Sequence, residues 1–460
     1  MSILFTHAYY LSDDPKEQKI MKPYPPLGLL YVSAYLISRG IANDVFDSTF
    51  YSKQEQLAFI LEKQPKVVAI YTNLMTKVEV VKLIQELKTA AFGFPKIILG
   101  GPDVTYNLEN YLGTGVDFLI IGEGEETTYE LYQTIINDGD FSTINGIAYL
   151  ENGAVFLTPA RTKFRELDEL PLPNRAAIPN QKYLETWKNN HGESSMTIST
   201  QRGCPYTCKW CSTAVYGQSY RRRPAHLVAQ EMKMLKDQYN PDAIWFVDDV
   251  FTISHKWLTA FNEEVVKQGA QIRFECITRA ERLNGEILRL LKEAGCFRIW
   301  IGAESGSQKI IDLMDRRVDV NHVKKMIQDT NALGIETGTF IMVGYPGENE
   351  ADIYETIQYL KDANPTHYTI TIAYPIKGTS LYNEIEKDIT VRPDWQTSTD
   401  RQIDFSRNYS RKYYDYAVSK VVNEVEFHRE FTKGKNRNTL KAVKLKTKSF
   451  LAGALMTIHR

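Results

Sequence analysis

Three of the chain's five cysteines, Cys204, Cys208 and Cys211, fall within the ten residues RGCPYTCKWC. A C-x3-C-x2-C loop places three thiolates around one small volume. Four cysteines on a [4Fe–4S] cluster occupy every iron, which suits electron transfer. Three leave one iron open, and an open position is where a metal centre takes a substrate or cofactor directly, as at catalytic zinc. Structural zinc is the rival reading. It takes four protein ligands in paired spacings, and this sequence has neither a second pair nor a nearby histidine. A purely structural cysteine loop is the third reading. Cys276 and Cys296 lie in or beside apolar strand-like runs and read as small buried side chains.

A loop of this kind needs rigid elements to hold it. Strand-like runs recur at 196–201, 243–249, 272–278, 297–304, 336–344 and 367–374, with helical patterns between them at 225–238, 285–295 and 323–334. Six such units in series predict a partial TIM-like (β/α)6 barrel, whose active residues sit at the carboxyl ends of the strands. The cysteine loop directly follows the first of these strands. Upstream, apolar runs at 3–10, 67–71, 96–101 and 116–124 alternate with helical patterns at 27–40 and 78–91. They predict right-handed βαβ units on a parallel sheet, a flavodoxin-like or Rossmann-like domain with its ligand at the strand ends. Those ends carry Thr72 and Asn73, then Gly100 and Gly101, then Gly122, Glu123 and Gly124. Glycine there lets the backbone approach a ligand, although the same residues also suit plain strand-to-helix turns. No GxGxxG follows the first strand, so a dinucleotide fingerprint is absent.

The expected division is an α/β domain over 1–150, a linker over 151–192, the barrel over 193–390 and a helical, basic segment over 391–460. Residues 411–431 read as a helix. From Lys433 to Arg460 there are eight Lys or Arg and no acid, which reads as a solvated helical face or a flexible tail in preference to an RNA or lipid contact.

Composition narrows the classes further. The chain has 460 residues, a formal charge of -1 and 43% hydrophobic residues, ample for large cores. Near-neutrality gives no global case for nucleic acid or an anionic membrane. No apolar run is long enough to span a bilayer. The start, MSILFTHAYYLSDDPK, reads as a strand and not as a signal peptide. An odd cysteine count with one tight cluster fits a reducing cytoplasm.

RGCPYTCKWC resembles the cluster motif of the radical S-adenosylmethionine (SAM) enzymes, C-x3-C-x-aromatic-C, with Trp210 as the aromatic. Further stretches resemble that family in the right order. Asp248 and Asp249 of FVDDVF stand where the family binds the methionine amino group. Arg279 of CITRA stands where a SAM carboxylate is paired. Glu304 and Ser305 of IGAESGS stand where the ribose is held, and Gly344 of FIMVGYPGE where backbone touches adenine. Singly, each has a plain reading: helix cap, surface ion pair, strand end, core aromatic. Their agreement in order carries the resemblance, which covers about 190–380.

The N-terminal turns resemble the cobalamin-binding group of the same superfamily, through KPYPPLGLLYVSAYL, ILGGPDVT and IIGEGEETTYEL. By that resemblance Thr72, Asn73, Gly100, Gly101, Gly122, Glu123 and Gly124 would line the corrin or its nucleotide tail. The D-x-H-x-x-G motif that supplies a cobalt ligand in many such domains is absent, and His7 reads as a packed strand-end residue.

The resemblance implies an enzyme with a [4Fe–4S] cluster, SAM and cobalamin. SAM cleavage would yield a 5′-deoxyadenosyl radical, and the expected reaction is methyl transfer to an unactivated carbon or a phosphorus of a small molecule. A reductant such as flavodoxin or ferredoxin is the implied partner, with no membrane partner and no nucleic acid expected. A radical cyclase, oxidase or rearranging enzyme is the alternative. RNA-modifying methylthiotransferases carry a second three-cysteine set in the N-terminal domain, and this chain has no cysteine before Cys204. A cobalamin-storage protein would leave the cysteine loop unexplained.

Overall fold

The computed structural model describes residues 2–90, 95–212, 217–434 and 438–460. Residue 91, at the end of one expected helix, and residues 435–437 of the basic segment lie outside the described residues. The chain divides into two compact units. One comprises residues 1–205, 212–245 and 393–400, and the other residues 206–211, 246–392 and 401–460.

The first unit is built on strands β1 (Ile3–His7), β2 (Asn43–Phe46), β3 (Val67–Tyr71), β4 (Lys96–Gly100), β5 (Phe118–Ile120), β6 (Ile147–Glu151) and β7 (Ala154–Leu157). Their order is β2-β1-β3-β4-β5-β6-β7. β1 to β5 run parallel, and β6 and β7 close one edge antiparallel. β1 is buried along its whole length, as a central parallel strand covered on both faces must be. Leu4, Val68 and Leu99 point into one core and Ile3, Val67 and Ile98 into the other, so each strand feeds both layers. β7 and the helix Asn180–His191 lie within the stretch expected as a linker. That helix buries Tyr183 and Trp187. Tyr183 donates to Asp47 at 2.7 Å, and Trp187 Nε1 donates to the Pro23 carbonyl at 2.9 Å.

The second series consists of β8 (Ser195–Ile198), the short antiparallel pair β9 (Gln201–Arg202) and β10 (Arg221–Arg222), then β11 (Ala243–Phe246), β12 (Phe274–Thr278), β13 (Cys296–Glu304), β14 (Glu336–Val343) and β15 (His367–Ile372). β8 and β11 to β15 make one six-stranded sheet in chain order, a curled parallel half-barrel. β12 to β15 pair in parallel, with a register break between Gly302 and Glu304. Inner and outer faces alternate as the pleat demands. Ile299, Ile301 and Ala303 are buried, while Arg298, Trp300 and Glu304 lie on the opposite face. The chain closes with two long helices, Arg411–Thr432 and Thr439–Ile458.

Candidate functional site

The cysteine loop is anchored before any ligand is considered. In the second unit, Lys209 N–H donates to the Met314 carbonyl at 3.2 Å, and Leu381 N–H donates to the Lys209 carbonyl at 2.9 Å. Thr207 donates to Asp315 at 3.1 Å. Trp210 packs on a core of Ile310, Met314, Tyr345 and Leu381. Cys211 N–H bonds the Cys208 carbonyl at 3.1 Å, which turns the segment tightly.

Arg279, at the end of β12, is buried against this loop. It donates to the Cys208 sulfur at 3.2 Å and to Glu281 at 2.6 Å, and its guanidinium lies 3.9 Å from the Tyr206 ring centre. None of the five cysteines forms a disulfide. Among the described residues no three His, Cys, Asp or Glu side chains are drawn close enough to hold a metal ion as placed. The donor set fits an iron–sulfur cluster: three soft thiols on one anchored loop, one of them beside a buried cation.

Glu304 ends β13 in a left-handed conformation, φ +66°, at the register break. A non-glycine residue held there costs about 1 kcal/mol or more, and such strain collects at functional sites. Its carboxylate folds back over Gly302, where an added Cβ would lie 2.7 Å from it. Burial pushes the Glu304 carboxyl up to about 7, against the pull of Arg316 and Arg279. Arg316 is buried, donates to the Gly302 carbonyl at 3.0 Å and stands 3.6 Å from Glu281. Cys208, Arg279, Glu281, Glu304 and Arg316 therefore form one polar cluster. Glu281 and Arg316 escaped the sequence reading. Glu281 carries a faint signal two residues after Arg279, whereas Arg316 sits in an ordinary MDRRV turn.

Asp248 and Asp249 follow β11; Asp248 is buried, and Asp249 is exposed at its edge. Gly344 has φ +75°, and its N–H donates to Glu348, whose buried carboxyl is pushed up to about 8. Ser305 is turned inward, 3.3 Å from the Thr356 hydroxyl and accepting from Ser307 N–H at 3.1 Å. Its side chain serves the turn.

These shifts make a testable sign. Glu304 and Glu348 have folded pKa values above the ordinary 4.5, so these two groups hold their protons more tightly in the folded chain. Their contribution falls as pH rises from about 4.5 through 7 and 8. Glu304→Gln is expected to stabilise the cofactor-free protein by about 3 kcal/mol above pH 7 and to be near neutral at pH 4. Thermal melts across pH check this; no gain at alkaline pH contradicts it.

In the first unit, two clefts of about 100 and 360 Å³ open at the carboxyl ends of the strands and share Gly28, Leu29 and Tyr71. Gly100, Gly101, Gly122, Glu123 and Gly124 line the first, and Asn73 the second. A Cβ at Gly28 or Gly122 would meet open space, so the floor there is bare backbone. Walls of Leu29, Val32, Tyr71 and Ile120 over such a floor fit the face of a flat macrocycle. Gly101 has a different cause: a Cβ there would strike the Thr72 carbonyl at 1.9 Å. Thr72 is itself fully buried, its hydroxyl 3.3 Å from Tyr111. The Glu123 carboxylate accepts from Phe164 N–H at 3.2 Å and pairs with Arg221 at 2.6 Å. Arg202 pairs with Glu125 alongside it. His7 is committed to the fold: Nε2 meets Asp47 at 2.9 Å, and Nδ1 accepts from Tyr9 N–H at 3.2 Å. It is a packed strand-end residue with both ring nitrogens engaged.

Residues 18–132 match the B12 binding domain, and residues 198–360 match the radical SAM superfamily. An uncharacterized methyltransferase of Pyrococcus horikoshii is 27% identical over 82% of each chain. An anaerobic magnesium-protoporphyrin IX monomethyl ester cyclase of Rubrivivax gelatinosus is 26% identical over 85% of this chain and 71% of its own. The cobalamin-dependent S-adenosylmethionine radical enzyme OxsB shares the fold with a TM-score of 0.76 at 14% identity, covering 99% of this chain and 80% of OxsB. No helix among the described residues is long and apolar enough to cross a membrane.

Proposed function

This chain being a cobalamin-dependent radical SAM enzyme, we propose that it transfers a methyl group to an unactivated carbon, or a phosphorus, of a small molecule. The observation that carries the reading is a glycine-floored cleft within the B12-binding match, on the same chain as the three-cysteine loop. The Pyrococcus relative, named a methyltransferase, supports it over most of both chains.

When bound, the cluster and SAM supply hydrogen-abstracting radical chemistry, and cobalamin supplies methyl-group chemistry. The residues of the chain bind and orient. Cys204, Cys208 and Cys211 would hold the cluster. Arg279 would face the SAM carboxylate from the place where it already donates to Cys208. Asp248 and Asp249 would take the amino group, Glu304 the ribose side with Ser305 holding the turn beside it, and Gly344 the adenine edge, with Trp210 fixing the loop. Thr72, Asn73, Gly100, Gly101, Gly122, Glu123 and Gly124 would shape the cobalamin site, Thr72 by holding the Gly101 turn. The working division is a cobalamin domain over 1–150, a connector over 151–192, the barrel over 193–390 and a C-terminal segment over 391–460. The electron donor would be a flavodoxin or ferredoxin.

The cyclase of Rubrivivax, aligned over most of this chain, favours a second reading without methyl transfer. SAM carrying a deuterated methyl group separates the two. The methyl reading expects a product that gains one labelled methyl for each substrate hydrogen lost. A product that loses hydrogen and gains no label contradicts it.

A further inference from the structure

The helix Thr439–Ile458 is apolar on two opposite faces. Ala442, Ser449, Ala452 and Met456 are buried, and small residues there let the helix lie close against Arg411–Thr432. A Cβ at Gly453 would stand 3.0 Å from the Lys420 ammonium, and Ser449 donates to Glu424. The outward face carries Leu440, Val443, Phe450, Leu451, Ala454 and Ile458, which recur at helical spacing and make one stripe. Leu440 is 84% exposed, Phe450 73% and Ile458 72%, with Val443 and Leu451 each more than half exposed. Phe431 of the preceding helix, also more than half exposed, borders the same groove as Val443 and Phe450. Twenty helical residues give a stripe about 30 Å long. A contiguous exposed apolar strip of that length marks an interaction surface.

The flanks identify the partner. Lys446 borders the stripe on one side, and Lys441, Lys444 and Lys448 border it on the other. Lys446 and Lys441 reach back to Glu424 and Glu430, while the segment from Lys433 to Arg460 contains no acid of its own. An apolar stripe flanked by Lys446 on one side and a row of three lysines on the other matches the boundary between acyl chains and anionic headgroups, with lysine stems running up to the phosphates. A nucleic acid would leave Leu440, Val443, Leu451 and Ile458 idle, because aliphatic side chains offer bases no stacking platform. We propose that this helix seats the protein on the surface of an anionic lipid bilayer, lying in the interface without crossing it. The surface differs from the solvated face that the charge count suggests, because the lysines frame apolar side chains that face outward. It is independent of which reaction the enzyme performs.

The test is co-sedimentation of the full chain with vesicles of phosphatidylcholine alone and of phosphatidylcholine with phosphatidylglycerol. The expected result is pelleting with the anionic vesicles only, weakened by salt. Lys444→Ala with Lys448→Ala is expected to lower the partition about fivefold per lysine, about 25-fold together. Phe450→Ser with Leu451→Ser is expected to lower it at least about tenfold. All four side chains are exposed, so an unchanged thermal midpoint shows that the fold survives. Absent pelleting, or equal pelleting with both vesicle types, overturns the proposal. Salt-dependent retention on single-stranded RNA without vesicle binding overturns it in favour of nucleic acid. Self-association that Phe450→Ser dissolves, again without vesicle binding, overturns it in favour of a second copy of the chain.

Discussion

Cys208→Ser is expected to remove the cluster and with it all turnover. A hydroxyl is a hard, weakly acidic ligand where the iron site asks for a soft thiolate. Losing an outer partner of a metal ligand already costs roughly 10–100-fold in metal affinity, and losing the ligand itself costs more. Two cysteines would remain for a site that needs three, and the Arg279 guanidinium would face a neutral oxygen. The measurement is iron content and visible absorbance after anaerobic reconstitution, with 5′-deoxyadenosine formation from SAM as the activity readout. The loop's hydrogen bonds through Lys209 run backbone to backbone, so the variant should keep its thermal midpoint. A variant that keeps iron and SAM cleavage would take Cys208 out of the ligand set. Cys276→Ser supplies the contrast: that thiol is buried, with a strongly raised pKa caused first by burial, and its loss should leave the iron in place.

The second large effect is on stability. Glu231, on the helix Ala225–Tyr239, is fully buried between Arg175 and Arg223. It meets Arg175 at 2.8 Å and also pairs with Arg223. Arg175 donates onward to the Thr197 carbonyl of β8 at 2.7 Å. Glu231→Gln keeps the shape and removes the charge, leaving two buried guanidiniums uncompensated. That situation costs about 3–5 kcal/mol. Urea melts should show a lower midpoint, and an unchanged midpoint would contradict the account. The pH dependence has the opposite sign to that of Glu304. The two arginines hold the Glu231 carboxyl below its ordinary 4.5 despite full burial. Its contribution is present above that pH and is lost as pH falls through the lower folded value. The variant should therefore lose this part of the acid limb of the stability curve.

The sequence was most readable where chemistry and periodicity are local. The cysteine loop stands out because few other jobs put three thiols on eight residues. Strands such as β3 and β4 stand out because VVAIY and the IIL of KIILG are apolar without a break, as buried parallel strands must be. β2, NDVF, was not legible. An edge strand half open to solvent needs no apolar run, and this one carries Asn43 and Asp44. The helix Lys53–Lys63 was equally hidden, since it buries only Gln56 and Ile60. The connector looked extended because its Leu-Pro-Leu-Pro stretch is, yet Tyr183 and Trp187 farther on find buried partners in the first unit. At the site, Arg279 and Glu304 were found by motif. Arg316 arrives from a distant turn, and no spacing rule points to it. Gly101 shows the reverse case: its glycine is required by the Thr72 carbonyl beneath it, whatever ligand lies above.

The central claim is that one chain holds both cofactors. Anaerobic reconstitution with iron, sulfide and hydroxocobalamin, then desalting, spectra and metal analysis, tests that directly. The expected result is roughly one four-iron cluster and one retained cobalamin per chain. Zinc in place of iron, or a cluster with no cobalamin retained, would contradict it.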